Sequence, residues 1–199
     1  MTKTNIDVQL HSVDQLTYNE FMMSIPNPTT YVILNMKKGE AAIDFNTNIS
    51  SEIIERILGG KEIEEKNILT NIEKKLFKHI SKKIIKQLNK SWNIFENNKE
   101  IFDFFKIFNN PNEHQITNEN EIVIMCVLEI IIGNKSGMIN ICYPIINLEK
   151  ETLEVFKENK YNINQHQKKE EKLIHKNEIL FKTKLNNKKT NFKIIDKRV

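Results

Sequence analysis

The feature that most constrains the fold is an apolar run of 11 residues, Ile122–Ile132, in which Glu129 is the single charged residue. A membrane-spanning helix needs about 20 apolar residues, so this run is too short to cross a bilayer. The run leads through Gly133-Asn134-Lys135 into the β-rich segment Ser136–Tyr143, a pattern typical of a hairpin. Because Ile122–Leu128 is apolar on both faces, we expect it to lie centrally in a sheet.

A second constraint is an internal repeat. The segment Gly39–Phe45 (GEAAIDF) is similar to Gly137–Tyr143 (GMINICY), and a strand and a turn precede each of them. A predicted helix follows each of them. The two copies lie about 98 residues apart, half of the 199-residue chain. A repeat of this length predicts a duplicated α/β unit rather than a solenoid.

Alternation of apolar residues predicts further strands, and apolar spacings of three and four predict helices. The predicted strands are Asn5–Leu10, Thr29–Met36, Glu40–Phe45 and Glu100–Phe108, with Lys37-Lys38-Gly39 as a hairpin turn. The predicted helices are Val13–Ile25, a segment capped by Ser50 or Ser51 that ends at Gly59-Gly60, a long helix behind Thr70, and Ile145–Phe156. A polar linker over 159–166 and a last hairpin over Ile179–Leu185 and Thr190–Ile195 complete the prediction.

The long helix has the clearest signals. Thr70 and Glu73 have the spacing of a capping box, in which each side chain satisfies a backbone donor near the other. Its apolar stripe comprises Ile72, Leu76, Ile80, Ile84 and Leu88, widened by Phe77 and Ile85. The other face carries Lys74, Lys75, Lys78, Lys82 and Lys86, which we interpret as a solvated face rather than a phosphate grip.

Composition limits what the charge can mean. The chain has 27 Asn, 32 Ile and 28 Lys but only two Ala and two Arg, as expected from an AT-rich genome. The net charge of +4 divides into −3 over residues 1–149 and +7 over residues 150–199. A basic C-terminal quarter suits an acidic protein, phospholipid or nucleic acid, but solvated lysines are the simpler interpretation.

No motif points to catalysis, a metal or a cofactor. Of the five histidines, no two lie three or four residues apart, and no zinc-binding spacing occurs. Gly59-Gly60-Lys61 lacks the spacing of a phosphate loop and follows a helix instead of opening one. Cys126 and Cys142 lie on the two arms of the hairpin, and the strand register decides whether they share a face. We therefore expect a cytosolic protein in reducing surroundings, without a nucleic-acid platform or a membrane span.

Six motifs, in order, are similar to one known family. Val13–Phe21 and Ser24–Thr29 resemble the pattern VDQLTYxEFxxSLPNPT of the middle domain of the flagellar motor switch protein FliM. The likeness continues through Ile54–Gly60, Leu69–Glu73, Asn110-Pro111, Asn120–Ile124 and Gly137–Pro144, and it covers residues 5 to about 156. The resemblance implies a CheC-like α/β (α+β) fold with pseudo-twofold symmetry and a long, mostly antiparallel sheet packed with helices.

The resemblance also implies a function. It indicates a non-enzymatic structural component of the motor switch, in the cytoplasmic C ring of the flagellar basal body, peripheral to the inner membrane. Its implied partners are FliG, FliN and neighbouring FliM copies, with roles in rotor assembly and control of rotation direction. The family's GGxG loop, which meets FliG, corresponds to Gly59, Gly60 and Lys61, but Glu62 replaces the last glycine. The same two glycines fit a simple helix C-cap equally well.

Other departures concern the second surface element and the domain plan. The family's NPQF element reads Asn110-Pro111-Asn112-Glu113 here. We expect residues 1–158 to form the middle-domain core, and residues 159–199 to complete it as a basic helix and hairpin. The family's N-terminal CheY-binding segment and C-terminal FliN-like domain find no match in this sequence, so CheY binding is not carried over.

The alternative is a CheC-type phosphatase of phosphorylated CheY on the same fold. Its sites place a Ser or Asp, a Glu four residues on and an Asn three further on one helix face. The nearest match here is Ser51, Glu55 and Leu58, in which the amide is missing. Thr70 followed by Lys74 departs even earlier. The motor-switch interpretation is therefore preferred.

Overall fold

The core is one six-stranded sheet with helices on both faces. The computed structural model describes residues 6–60, 68–92 and 100–148. The strands run in the order β1-β5-β6-β3-β2-β4, and every neighbouring pair is antiparallel. The elements are β1 (Ile6–Thr17), α1 (Tyr18–Ser24), β2 (Thr30–Met36), β3 (Gly39–Phe45), α2 (Thr47–Leu58), α3 (Asn71–Trp92), β4 (Phe102–Phe108), a 3₁₀ turn (Pro111–Glu113), β5 (Ile122–Ile132) and β6 (Lys135–Pro144). A further helix begins at Ile145 and is described as far as Leu148.

The two predicted hairpins that lie within the described residues are confirmed. Strands β2 and β3 pair up to Met36 and Gly39, and strands β5 and β6 pair up to Ile132 and Lys135. Strand β5 has β1 on one side and β6 on the other, so it is an interior strand, as we expect from its two apolar faces. The two central strands of the sheet are β6 and β3.

The strand register confirms the pseudo-twofold symmetry. Strands β3 and β6 lie side by side in the middle of the sheet, and Ile43 pairs with Ile141. These two residues are also equivalent in the internal repeat, so the local twofold axis passes through this pair. On either side the order is symmetric, because β5 corresponds to β2 and β1 corresponds to β4. Helix α2 begins at Thr47, and the second helix begins at the equivalent residue, Ile145.

Two glycines at equivalent places allow each half to receive a helix of the other. A Cβ atom on Gly137 would collide with the side chain of Ile49 in α2. A Cβ atom on Gly39 would collide with the side chain of Asn147 in the second helix. Because Ile49 and Asn147 are themselves equivalent, the two contacts are one contact repeated by the symmetry axis. The glycines of the repeat are thus explained by close helix–strand packing.

The predicted boundary between the first strand and the first helix is wrong. We expected a strand over Asn5–Leu10 and a helix from Val13, but β1 continues to Thr17 through a bulge between Leu10 and Ser12. The helix starts only at Tyr18, where Thr17 and Glu20 form a capping box: Glu20 N donates to Thr17 Oγ1 at 3.2 Å, and Thr17 N donates to Glu20 Oε2 at 2.7 Å. The pairing with β5 thus overrides the helical spacing of the apolar residues.

The predicted cap of α2 is also wrong. Asn46 caps this helix, and its Oδ1 accepts a hydrogen bond from Asn48 N at 2.9 Å. Ser50 and Ser51 lie inside the helix and are buried. The Ser50 hydroxyl lies 2.7 Å from the hydroxyl of Thr30 on β2, so it serves packing rather than capping.

Helix α3 follows its prediction except at its first turn. Thr70 N donates to Glu73 Oε2 at 2.8 Å, which confirms the predicted capping box. Phe77, Ile80 and Ile85 are buried, whereas Ile72 is 74% exposed and does not belong to the apolar stripe. Burial of Glu73 at the next position turns Ile72 outward.

The sheet divides the core into two clusters. Helices α2 and α3 cover one face, and α1 with the segment after the 3₁₀ turn covers the other. Cys126 pairs with Ile141 and belongs to the first cluster, whereas Cys142 belongs to the second. The two cysteines therefore lie on opposite faces. Burial raises the pKa of Cys126 to about 12 and raises that of Cys142 as well, so both behave as small apolar residues.

The predicted helix beyond Leu148, the linker and the last hairpin lie outside the described residues, as does the basic region 159–199.

Candidate partner-binding surface

The two predicted site glycines end helix α2. Gly59 has a φ of +83°, a left-handed conformation that side chains rarely adopt, and the N–H of Gly60 donates to the carbonyl of Glu55 at 3.0 Å. This is the helix C-cap that the sequence offered as one interpretation. A Cβ atom on Gly60 would collide with the carboxylate of Glu55. Lys61, the third predicted residue, lies outside the described residues.

An ion-pair network fixes this end of α2 against the other half of the molecule. Glu52 Oε1 accepts from Arg56 Nε at 2.6 Å, and its Oε2 lies 3.0 Å from Lys135 Nζ at the β5–β6 turn. Burial alone would raise the pKa of Glu52, but the hydrogen bonds and charges of Lys135 and Arg56 outweigh it and lower that pKa. The end of α2 thus has a defined position beside the second hairpin.

Exposed apolar side chains lie at the end of α2 and around the start of α3. Ile57 and Leu58, the last residues of α2, are 42% and 60% exposed. Ile68, three residues before α3, is 55% exposed, and Ile72 in the first turn of α3 is 74% exposed. Exposed apolar side chains are typical of a partner-binding surface where they adjoin one another. We call these four residues, with Gly59 and Gly60, the α2–α3 surface.

The second predicted element, Asn110-Pro111, forms the 3₁₀ turn after β4. Asn110 Oδ1 accepts from Asn112 N at 3.0 Å, and Pro111 is buried. Behind the turn, His114 stacks on Phe108 with ring centroids 5.4 Å apart, and its Nε2 lies 2.8 Å from Glu40 Oε2. These contacts are on the α1 side of the sheet, whereas α2 packs on the opposite face. The structure therefore does not bring the two predicted elements together on one face.

A buried polar cluster was missed by the sequence reasoning. Asp44 on β3 is 1% exposed; its Oδ2 accepts from Asn140 Nδ2 at 2.9 Å, and its Oδ1 contacts the Thr29 hydroxyl. The Thr29 hydroxyl also lies 2.8 Å from the carbonyl of Phe45. Burial is the main cause of a raised pKa for Asp44. The single carboxylate of Asp44 in the apolar segment Ala41–Phe45 is the sequence signal that could have predicted this cluster. The cluster joins the turn before β2 to the centre of the sheet.

The residues of the rival phosphatase lie on α2 but do not form its site. Ser51 is buried at 6% exposure. Leu58, at the position of the water-orienting amide, is exposed and carries no polar group. Nothing in this part of the helix supplies an amide for that chemistry.

Residues 6–60, 68–92 and 100–148 contain neither a group of metal ligands nor a helix that could span a membrane. No group of three His, Cys, Asp or Glu side chains there could hold a metal ion. No helix among these residues is long and apolar enough to cross a membrane.

Comparison with known proteins decides the family. A sequence model described as "Flagellar motor switch protein FliM" matches residues 1–158. The chain belongs to the FliM family. The FliM of Borreliella burgdorferi is 36% identical over 149 residues, which are 72% of this chain and 42% of that protein. The chain thus spans about two fifths of the length of this FliM relative.

Solved FliM structures confirm the fold. The FliM middle domain from H. pylori has a TM-score of 0.67 and 37% identity, with 74% of this chain and 81% of that one covered. A FliG–FliM complex from H. pylori has a TM-score of 0.69 and 37% identity, with 74% of this chain and 82% of that one covered. The described sheet and helices are therefore those of a FliM middle domain, as the motifs predicted.

Proposed function

We propose that this protein is a non-enzymatic component of the flagellar motor switch that binds FliG. The observation that supports this most strongly is its likeness to a FliM middle domain solved together with FliG, at 37% identity over 74% of the chain. The FliM family match over residues 1–158 supports the same role. The described residues give the phosphatase no support, because α2 carries Leu58 at the position where that site needs an amide.

We assign FliG binding to the α2–α3 surface. Its exposed apolar residues, Ile57, Leu58, Ile68 and Ile72, lose contact with water when a partner covers them, which stabilises the complex. A Cβ atom on Gly59 would meet no other atom within 4 Å, so a partner can approach the backbone closely at Gly59, whereas the Glu55 carboxylate covers Gly60. Lys61 would continue this surface, and Asn110-Pro111 would be a second, separate contact on the other face of the sheet.

The wider role follows from the same family. FliN and neighbouring copies of this chain would be its other partners, in a ring on the cytoplasmic side of the basal body, peripheral to the inner membrane. In such a ring, directional switching requires two packings of similar energy that a partner can bias. Residues 1–158 would supply the ring-forming core, with 159–199 completing it. CheY binding is not proposed.

The test is binding of the purified chain to FliG from the same organism, by isothermal calorimetry. We expect Leu58→Asp to weaken binding at least about tenfold, because a charge would be buried at an apolar contact. The matched control is Met23→Asp on α1, which is 77% exposed on the opposite face and should bind FliG normally.

A second variant tests the glycines. Gly60→Val should also weaken binding, and Gly60→Val combined with Glu55→Ala separates a direct effect from displacement of the Glu55 carboxylate. If the unmutated chain shows no binding to FliG, the assignment is wrong. Release of phosphate from phosphorylated CheY above its spontaneous rate would instead support the phosphatase.

A further inference from the structure

The two edge strands of the described sheet, β1 and β4, are covered unequally. Helix α3 lies over β4, where Asn89 Nδ2 donates to the carbonyl of Phe102 at 2.7 Å. Among the described elements, β1 makes extended contact only with β5 and α1, and α1 packs on the face opposite to α3. Residues 6–60, 68–92 and 100–148 therefore leave the α3 side of β1 without a covering helix.

The strand register shows what this difference does to apolar side chains. The apolar residues of β1 on the α3 side are Ile6, Val8 and Leu10. Val8 pairs with Ile130, and on the other edge Ile107 pairs with Val32. Val32 and Ile130 are equivalent in the internal repeat, so Val8 and Ile107 occupy equivalent places. Ile107 is buried, whereas Val8 is only half-buried, which leaves room for a further element beside β1.

The other face of β1 carries negative charge. Asp7 lies between Ile6 and Val8 in the strand, so it points to the α1 side of the sheet. Asp14 points to the same side, because it pairs with Met125, which packs against the second cluster. Strand β1 thus alternates between an apolar face and an acidic face along an edge that no described strand pairs with.

Charge also distinguishes the two edges. Strands β1 and β5 contain three carboxylates and neither Lys nor Arg, although Lys makes up 28 of the 199 residues. Strand β4 has one residue of each sign, Asp103 and Lys106. Codon bias acts on the whole chain alike, so the absence of Lys is particular to β1 and β5. A basic segment is therefore attracted to the β1 edge rather than to the β4 edge.

The C-terminal region contains a segment of complementary pattern. Residues 179–199 have seven Lys or Arg and one Asp. Within them, the predicted strand Ile179–Leu185 alternates between apolar and basic residues. Its apolar residues on one face are Ile179, Phe181 and Leu185, and its lysines on the other face are Lys182 and Lys184.

The same molecule can supply this segment to its own edge. Leu148 belongs to the first cluster, so the chain leaves the described residues on the α3 side of the sheet. Between Leu148 and Ile179 lie 30 residues. An extended chain of this length reaches up to about 100 Å. Six strands spaced about 4.8 Å apart measure only about 24 Å across.

We propose that Ile179–Leu185 adds to the edge of β1 as a further strand of the same chain. Its apolar residues would continue the apolar face of Ile6–Leu10, and its lysines would lie beside Asp7 and Asp14 on the other face. An edge strand presents unpaired N–H and C=O groups, and an added strand satisfies them. Opposite charges on neighbouring strands stabilise the pairing further. The proposal rests on the proposed function only in that residues 159–199 complete the core.

Hydrogen exchange of the full chain, followed by NMR, tests this contact. In an edge strand alternate N–H groups have no partner strand, so only an added strand protects them from exchange. We expect protection of these amides in Ile6–Leu10, and Phe181→Asp/Leu185→Asp should speed their exchange at least about tenfold. The matched control is Tyr161→Asp/Ile163→Asp in the predicted linker, which adds the same charge and should change nothing. The amides of β4 report whether the fold is intact.

A charge swap tests the acidic face separately. Lys182→Glu/Lys184→Glu should speed the same exchange about threefold or more, because like charges then face each other on neighbouring strands. Adding Asp7→Lys/Asp14→Lys to that chain should restore the protection. If the swap restores nothing, the proposed pairing of these charges is wrong.

The remaining outcomes separate this proposal from its rivals. Unprotected alternate amides in the unmutated chain, or protection that Phe181→Asp/Leu185→Asp leaves unchanged, overturn it. Protection that appears only when the protein concentration is raised about tenfold means that a second copy supplies the strand, which also overturns it. Because FliG is not in the experiment, a failure of FliG binding and a failure of this protection are read independently.

Discussion

The two halves of the sheet have the same strand–turn–strand–helix plan, but each holds the other in a different way. In the first half, α2 has its own cap at Asn46 and inserts the apolar side chain of Ile49 against Gly137. In the second half, Pro144 takes the place of the cap, and the polar side chain of Asn147 meets Gly39 while donating to the carbonyl of Glu40 at 3.1 Å. The contact between equivalent residues is thus apolar on one side of the twofold axis and includes a hydrogen bond on the other.

The largest effect is expected from adding a methyl group to Gly137. Ile49 is fully buried, so it cannot move away from the new Cβ atom, and Gly137→Ala should cost roughly 2–3 kcal/mol in the free energy of unfolding. Ile49→Ala alone should also lower the free energy of unfolding. The loss in the double variant should be smaller than the sum of the two single losses by about 1 kcal/mol or more. Urea unfolding of the four proteins measures this, and simple additivity would contradict the proposed contact.

Gly39→Ala provides the comparison from the other half. Gly39 has a φ of +140°, so alanine is strained there whatever the space around it, at a cost of about 1–3 kcal/mol. Combining Gly39→Ala with Asn147→Ala removes the collision but leaves the backbone strain. We therefore expect a smaller coupling energy for this pair than for Gly137 and Ile49. Equal couplings would show that the two halves meet in the same way.

Much of this arrangement could be predicted from the sequence, because local patterns decide it. The turn residues give both hairpins, and the repeat of Gly39 and Gly137 gives the symmetry. The boundary at Thr17 could not be found by apolar spacing, since pairing with β5 extends the strand through residues that also suit a helix. The faces of Cys126 and Cys142 required the register, which no local signal sets. The site glycines were found through motifs, whereas the exposure of Leu58 and Ile72 depends on packing between distant elements.

The next largest effect concerns Asp44, whose equivalent in the second half is Cys142. The Thr29 hydroxyl has one proton but two neighbouring acceptors, Asp44 Oδ1 and the carbonyl of Phe45. A protonated Asp44 resolves this, because it can donate to Thr29 Oγ1 while Thr29 donates to Phe45. The raised pKa of Asp44, caused mainly by burial, agrees with this assignment.

The pH dependence follows from the sign of that shift. A carboxyl group whose pKa is raised by folding stabilises the fold fully below its unfolded pKa of about 3.9, and this contribution falls as pH rises through the folded value. Asp44→Asn imitates the neutral acid, so its stability relative to the unmutated protein should increase between pH 4 and 8. Urea unfolding across this range measures it, and Cys142→Ala should shift stability by the same amount at every pH. Parallel curves for Asp44→Asn and the unmutated protein would exclude a protonated Asp44.

A smaller effect is expected at the helix caps. Asn46→Ala should cost about 1 kcal/mol, because Asn48 N loses its acceptor, whereas Asn46→Asp should retain most of the stability. Asn147→Ala removes the corresponding hydrogen bond in the second half. That bond joins the two halves, because Asn147 donates to the carbonyl of Glu40, whereas the Asn46 bond stays within one helix. Thermal unfolding of the three variants compares the stability lost with a cap inside one helix with the stability lost with a hydrogen bond between the two halves. Equal losses for Asn46→Asp and Asn46→Ala would rule out capping by this side chain.

The smallest effect is expected where an ion pair joins the halves. Lys135 is 43% exposed, so solvent screens its contact with Glu52, and Lys135→Ala should cost only about 0.5 kcal/mol at neutral pH. Because Lys135 and Arg56 lower the pKa of Glu52 against the opposing effect of burial, their stabilisation is present above the unfolded pKa of about 4.3 and is lost as pH falls through the folded value. The difference between Lys135→Ala and the unmutated protein should therefore narrow in acid, and Lys90→Ala on α3 serves as the control. If the difference in stability stays constant down to pH 3, Lys135 stabilises the fold through packing of its side chain. The position of the end of α2 beside Gly59 would then depend on apolar contact between the halves rather than on charge.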